Sequence, residues 1–400
     1  MLLGFLRAGF RSWKVVLCAP LFWLSLVICL YTVAAAFINS RDILPDDSFA
    51  NIVRKCGDLI AISGIFSFMI AWALQLDSAN VGRALFLWLL GYFMAVLLGA
   101  EWNDLANYLA GRPLFGLQSG FGFYTLCALL GVIILALGDR GKLGYIGRAQ
   151  SVGILLLLVL LLCLFLVGRM RGAWLAAAVV GPVVGYALFQ RRPNTRYTRQ
   201  GKLFGWSVLA LFLLIIFWNY DVIAKRFLEE WDVLVSYWHN GSEDLRLSST
   251  SYRIWLWEEA IERIAVHPIF GWGPGTSSHL IAQSEVLKHL GHYHNVYLQL
   301  IVEVGLAGFS LFAAWLYLVG RGTLRAYASG TMSADMFLLI TSLVAVFALV
   351  SMIQYRHSEA GQFFIMLMGA LAINYQITFP PRSREVTGRF ATTNEEQSGH

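Results

Sequence analysis

Charge is what this 400-residue chain has least of: Asp, Glu, Lys and Arg together make up 14%, where an ordinary soluble domain carries about 25%. With hydrophobic residues at 58% and a mean hydropathy of +0.63, that shortage excludes a soluble globule. Cysteine is also sparse. Four of the five, Cys18, Cys29, Cys127 and Cys163, fall within apolar runs and only Cys56 lies outside them, which excludes a structural disulfide and leaves the thiols as small packing residues. A signal-peptide reading of the N-terminus is excluded by length. The first apolar run is about 24 residues, longer than the ~7–15 of a signal-peptide core, so Ala34-Ala35-Ala36 belongs to a retained span and not to a cleavage site.

What the chain has instead is a succession of apolar runs of membrane-crossing length. They lie near 15–38, 59–76, 82–99, 121–137, 153–168, 174–190, 203–219, 295–319, 335–353 and 360–378, and the 100–120 stretch is apolar enough to dip into the bilayer as well. The expected fold is therefore an all-α polytopic membrane protein with about 10–12 transmembrane helices and one large helical loop. With the N-terminus in the cytoplasm, the inner connections hold seventeen Lys and Arg and the short outer loops seven, which sets both termini inside. The long polar segment 220–294 then lies outside the cytoplasm. It carries ten acidic and six basic residues, so the net charge of +6 reflects membrane orientation and nucleic acid is not an expected partner. The organisation expected is an N-terminal bundle over 1–219, the polar segment 220–294, C-terminal spans over 295–379 and a disordered cytoplasmic tail over 380–400.

The polar segment holds six of the eight histidines: His239, His267, His279, His289, His292 and His294. Over 220–239 the residues Val222, Ile223, Phe227, Leu228, Trp231, Leu234, Val235 and Trp238 recur at helical spacing, predicting an amphipathic helix that Asn240-Gly241-Ser242 breaks. Ser248 to Ser251 can cap a second helix running through Ala265 to stop before His267-Pro268. Gly271-Trp272-Gly273-Pro274-Gly275 follows. Its glycines permit backbone N–H groups to approach an oxyanion, or equally a tight turn, and Thr276 to Leu290 reads as a third helix closed by Gly291.

Several ionisable groups stand where they need a reason. Arg169 and Arg171 occupy a very short outer connection, where basic residues are disfavoured; snorkelling to lipid phosphates and a bidentate grip on a substrate phosphate both account for them. Arg253, on the second helix, is a similar candidate beside the reading as a solvated surface charge. His289, His292 and His294 with Glu285 nearby raise a zinc site, but no fourth ligand is spaced to complete one, and His292 and His294 are expected to point in different directions, so no metal is predicted. Glu303 lies about nine residues into an apolar span, where a carboxylate implies either a function or a structural pair with an arginine.

Three motifs occur in order: Arg171-Gly172-Ala173-Trp174; Arg253-x3-Trp257 running on to His267-Pro268-x2-Gly271-x-Gly273-x-Gly275; and His294-Asn295-x9-Gly305-x2-Gly308. Together they resemble the O-antigen ligase/polymerase superfamily over roughly 165–310, and one dominant outer loop in a chain of this length resembles its lipid A-core:O-antigen ligases. The resemblance implies a GT-C-like glycosyltransferase of the bacterial inner membrane with its active site facing the periplasm. It implies transfer of a finished glycan from undecaprenyl-diphosphate-linked O-antigen onto a sugar hydroxyl of lipid A-core, among membrane lipids, with inversion and without metal or other cofactor. The residues it marks as catalytic are Arg171 and Arg253, on the diphosphate, and His294, as the base or a third phosphate contact. Arg169, Asn295, Gly273 and Gly275 are marked as substrate-binding.

Two relatives in the same superfamily, an O-antigen polymerase and an O-oligosaccharyltransferase acting on protein, compete with that reading. From another class, a lipid-linked oligosaccharide transporter would also be polytopic, although the chain has no half-to-half repeat and no paired broken helices of the kind transporters often carry.

Overall fold

The computed structural model describes residues 19–40, 49–67, 121–137, 148–167, 171–190, 220–242 and 245–353, with a few isolated residues outside these ranges. The expected spans at 82–99 and 203–219, the 100–120 stretch, most of 360–378 and the tail from 380 lie outside the described residues, as do Arg169, Arg356 and His357. Among the described residues there are helices and no strands. They are α1 Pro20–Ala35, continuing as a π-helical turn Ala36–Ser40; α2 Phe49–Ile62; α3 Phe121–Leu137; α4 Arg148–Val167; α5 Arg171–Gln190; α6 Tyr220–Asn240; α7 Ser249–Val266; α8 Ser277–Ala282; α9 Val296–Ala328; and α10 Ala334–Ser351. Of these, Pro20–Asn39, α9 and α10 are long and apolar enough to cross a membrane, and α3, α4 and α5 contain shorter apolar helices. Among the described residues the protein is a helical membrane protein.

Helix ends follow local chemistry. Ser248 has an extended backbone and accepts the Ser251 N–H through its hydroxyl, so α7 starts where the Ser248–Ser251 run predicts, and it ends at Val266, one residue beyond the expected stop. α6 ends as expected at Asn240, where Gly241 takes φ 76° and its N–H returns to the Tyr237 carbonyl. Ser333 caps α10 by accepting the Met336 N–H, with Asp335 in its first turn. The expected third helix over 276–290 is much shorter than the apolar pattern implied. α8 stops at Ala282, because the Ser284 hydroxyl accepts the Leu287 N–H and starts a separate turn that carries Leu287 into the core beside Leu280 and Ile281. α9 in turn continues well past 319 to Ala328, carrying the exposed Arg321 and Arg325 beyond its apolar stretch.

Among the described residues, three of the apolar cores join most of these elements. One joins α3, α5 and α10 through Phe123, Leu126, Ala176, Val180, Leu339 and Val346. A second joins α1 and α2 to α9 through Ile28, Leu59, Val304 and Trp315. Between lipid-facing helices burial supplies little drive, so close packing and interhelical hydrogen bonds fix the register. Trp315 illustrates this. Its indole N–H donates to Ser25 Oγ at 2.9 Å, and its ring lies against Gly64, where a Cβ would approach to 2.2 Å. The third core lies in the polar segment, where Leu256, Ala260, Leu280, Ile281, Leu287 and Tyr293 close over Val302 of α9. Each fully buried leucine, isoleucine or valine of this third core contributes about 1.5–3 kcal/mol.

α9 is broken, which the apolar pattern over 295–319 does not foretell. Gly305 has φ 66° and ψ −178°, so residues 296–304 and 306–328 are two half-helices. In an intact helix the Leu306 N–H would reach the Val302 carbonyl and the Ala307 N–H that of Glu303. Here residues 268–273 thread between the halves and satisfy all four groups. The N–H of Leu306 donates to Pro268 O at 2.9 Å and that of Ala307 to Ile269 O at 3.0 Å, while the N–H groups of Trp272 and Gly273 donate to Val302 O and Glu303 O, both at 2.8 Å. A break at membrane depth is tolerated only with such replacement, since an unpaired backbone group in lipid costs several kcal/mol. The Tyr31 hydroxyl adds a bond to Val304 O at 2.7 Å, and Asn39 Nδ2 donates to Gly271 O at 3.2 Å, tying α1 to the same junction.

Candidate active site

His294 stands at the mouth of α9. Asn295 has an extended backbone and its Oδ1 accepts the N–H groups of Tyr297 at 2.9 Å and Leu298 at 3.2 Å, the geometry of an N-cap. The residue before it, His294, has φ 51° and is the one non-glycine with positive φ among the described residues. Histidine is among the residues that tolerate this region, yet the conformation is sparsely populated and persists only where its surroundings impose it. The turn also reverses an expectation. The rings of His292 and His294 do not diverge; their centroids lie 4.2 Å apart at 52°.

The half-buried Arg253 of α7 faces this turn. Its charge, after burial itself, depresses the pKa of His294 below the ordinary histidine value, so the neutral imidazole is favoured near neutral pH. Burial also lowers the pKa of Arg253, which nevertheless stays protonated as guanidinium does in proteins. Among the described residues no carboxylate lies within salt-bridge range of Arg253, in contrast to Arg263 one face further on, which is paired with Glu259 at 2.8 Å. A desolvated guanidinium beside a neutral imidazole can hold an anion and accept a proton within one site.

Arg171 opens α5, and the placement of its side chain is not described. Its helix end is located by contacts. A Cβ on Gly172 would stand 2.8 Å from Ile353 Cδ1, and Ile353 lies two residues beyond the end of α10; a little over a turn earlier, the Ala348 carbonyl of α10 accepts the Tyr297 hydroxyl at 3.0 Å. Arg171 and the His294–Tyr297 turn are thus attached to the same end of α10.

The glycine loop serves the scaffold. Gly271, Gly273 and Gly275 all have positive φ, as an oxyanion cradle or a tight turn would need, but the Trp272 and Gly273 N–H groups are committed to the carbonyls of α9. Asn295 likewise commits its side-chain oxygen to the cap. Glu303, 2% exposed, has no arginine partner among the described residues and instead accepts the Ser277 hydroxyl at 2.8 Å and Gln299 Nε2 at 2.5 Å. Gln299 escaped sequence reasoning. The available clue was its spacing from Glu303: two polar residues four apart in an apolar span lie on one helix face.

A broken apolar helix that begins at a buried histidine, within the electrostatic reach of a desolvated arginine, marks the candidate site of what is, among the described residues, a helical membrane protein. The family model described as O-Antigen ligase matches residues 155–313, a stretch that includes Arg171, Arg253, His294, Gly305 and Gly308. A Rickettsia felis protein provisionally named a polysaccharide ligase is 26% identical over 216 residues, 50% of this chain and 47% of that protein, so the chain spans about half the length of the curated relative. These matches bear out the resemblance carried by the three motifs and support a polysaccharide ligase or polymerase type of function.

Proposed function

We propose that the protein transfers an undecaprenyl-diphosphate-linked O-antigen en bloc onto a sugar hydroxyl of lipid A-core, at the periplasmic face of the bacterial inner membrane, in a GT-C-like scaffold. The observation that carries the proposal is Arg253: a desolvated guanidinium with no carboxylate in salt-bridge range among the described residues, next to a histidine held neutral. The bond from the anomeric carbon to the diphosphate oxygen breaks, and negative charge grows on the diphosphate. Arg253 and Arg171 stabilise that charge without a prior proton transfer, with Arg169 as a further contact. The acceptor oxygen forms the new bond to the anomeric carbon as its proton passes to an imidazole nitrogen of His294. A single displacement of this kind inverts the anomeric centre. Gly273 and Gly275 bind substrate only through groups not already bonded to α9, and Asn295 contributes chiefly by setting the turn that presents His294.

The deciding experiment reconstitutes purified protein with undecaprenyl-diphosphate-linked O-antigen and lipid A-core, without nucleotide, and separates the glycolipids on a gel. A glycan-bearing lipid A-core species that is lost with His294→Ala is expected. Longer donor chains without use of lipid A-core would reassign the protein as a polymerase, glycan on a protein acceptor as an oligosaccharyltransferase, and donor moved across the bilayer without a covalent product as a transporter.

A further inference from the structure

Behind His294 runs a line of buried polar groups that the proposed chemistry does not use. Glu303, 2% exposed, accepts Gln299 Nε2; Gln299, 1% exposed, accepts the Tyr293 backbone N–H through Oε1 at 3.1 Å; and Tyr293, whose ring is fully buried, is bonded covalently to His294. We propose that Glu303 and Gln299 are positioning residues that hold the Tyr293–His294 turn in its left-handed conformation and so aim the imidazole at the acceptor hydroxyl. This inference rests on the reading of His294 as the proton acceptor.

The argument is one of donors and acceptors. An amide side chain has one accepting and one donating end, and nothing in its shape decides which end points where. A carboxylate accepts only. Placed four residues on, on the same helix face, Glu303 admits only the Nε2 end of Gln299, which leaves Oε1 facing Tyr293. Were Gln299 reversed, two donors, Nε2 and the Tyr293 N–H, would face each other in a buried site and the turn would lose its anchor. Glu303 is itself held from a second element, because Ser277 at the start of α8 donates to the same Oε1. Its backbone carbonyl, meanwhile, accepts the Gly273 N–H across the break in α9. Glu303, through its carboxylate and its backbone carbonyl, therefore connects three things: the glycine loop, α8 and the histidine turn.

The test uses the full-length protein in detergent, with 13C introduced at histidine Cε1 and the His294 resonance identified by its loss in His294→Ala. Gln299→Leu keeps the volume of the side chain but removes the acceptor for Tyr293 N–H. The expected result is a displaced or doubled His294 resonance, together with at least a ten-fold fall in kcat for glycan transfer and KM within two-fold of wild type. A resonance left in place overturns the proposal, and so does a displaced resonance with unchanged kcat. If Gln299→Leu does not fold, Ser277→Ala decides, since it removes one donor from Glu303 and leaves every backbone bond intact: a two- to five-fold fall in kcat with a moved His294 signal is expected, and wild-type behaviour in both overturns the inference. Glu303→Gln keeps the side-chain volume but offers Gln299 a donor as well as an acceptor, so it is expected to double or displace the His294 resonance and lower kcat; a single unmoved resonance with wild-type kcat counts against the orienting role. Failure of the base assignment is distinguishable, because there His294→Ala itself would transfer glycan at the wild-type rate whatever the resonance reports.

Discussion

The backbones of Gly271 and Gly305 lie against each other across the break in α9: a Cβ on Gly271 would stand 2.5 Å from the Gly305 amide nitrogen, and one on Gly305 would stand 2.6 Å from the Gly271 amide nitrogen. Both residues have positive φ, 68° and 66°. Neither a side chain nor an ordinary backbone conformation fits at either position, and this contact is what lets the loop 268–273 replace the two missing helical bonds.

Gly271→Ala and Gly305→Ala should therefore each destabilise the folded protein by more than about 2 kcal/mol, since each combines a positive φ with a backbone collision. Gly291→Ala, at a position with nothing within 4 Å of the added Cβ, should change stability by less than about 0.5 kcal/mol. Thermal unfolding in detergent compares the three. Equal midpoints for all of them would remove the loop-for-helix exchange.

Arg253→Ala, Arg171→Ala and His294→Ala should each lower transfer by about 100-fold or more while the protein still inserts, as expected when a group that stabilises developing charge or takes the proton is lost. Arg253→Lys should recover little, because an ammonium lacks the planar two-pronged fork. Wild-type rates in all three alanine variants would eliminate the site.

Transfer should depend on pH through His294. A base must be neutral, and its pKa is depressed first by burial and then by Arg253, so activity should rise with pH to a plateau through a midpoint below the ordinary ~6.5. Arg253→Gln removes the charge contribution, and its residual activity should show that midpoint moved upward; His292, whose ring lies 4.2 Å away, is tested beside it as His292→Phe. A midpoint that ignores Arg253 would separate the two residues.

Asn295→Ala should cost about 1 kcal/mol of stability through loss of the cap, whereas Asn295→Asp keeps an accepting oxygen and should stay near wild type. If Asn295→Asp were stable but inactive, the side-chain amide would have a direct role at the substrate. Thermal midpoint and transfer rate, measured on the same preparations, distinguish the cases.

Addition of EDTA should leave transfer unchanged, because arginine supplies the positive charge that the leaving diphosphate needs. Loss of activity on chelation, restored by a divalent cation, would return the histidine cluster to consideration as a metal site.

Much of the scaffold could be read from local pattern. Apolar runs near 121–137, 153–168, 174–190 and 335–353 appear as α3, α4, α5 and α10 with ends displaced by a few residues, and the amphipathic period over 220–239 appears as α6. Ser248 marked the start of α7 because a hydroxyl there satisfies an otherwise unpaired helical N–H. The same kind of reading overextended α8, because a serine hydroxyl at 284 offered the backbone a competing turn.

Apolar length, the distribution of lysine and arginine, and cap residues act within a few positions of themselves, so the sequence alone determined membrane residence, the placement of most described helices and the three motifs that carry Arg171, Arg253 and His294. The tertiary structure alone decided that α9 breaks at Gly305, that residues 268–273 fill the break, and that Arg253 comes near enough to lower the pKa of a histidine 41 positions away. Each of these depends on which distant backbone N–H and carbonyl groups pair once the helices pack, and no local period in a sequence encodes that choice.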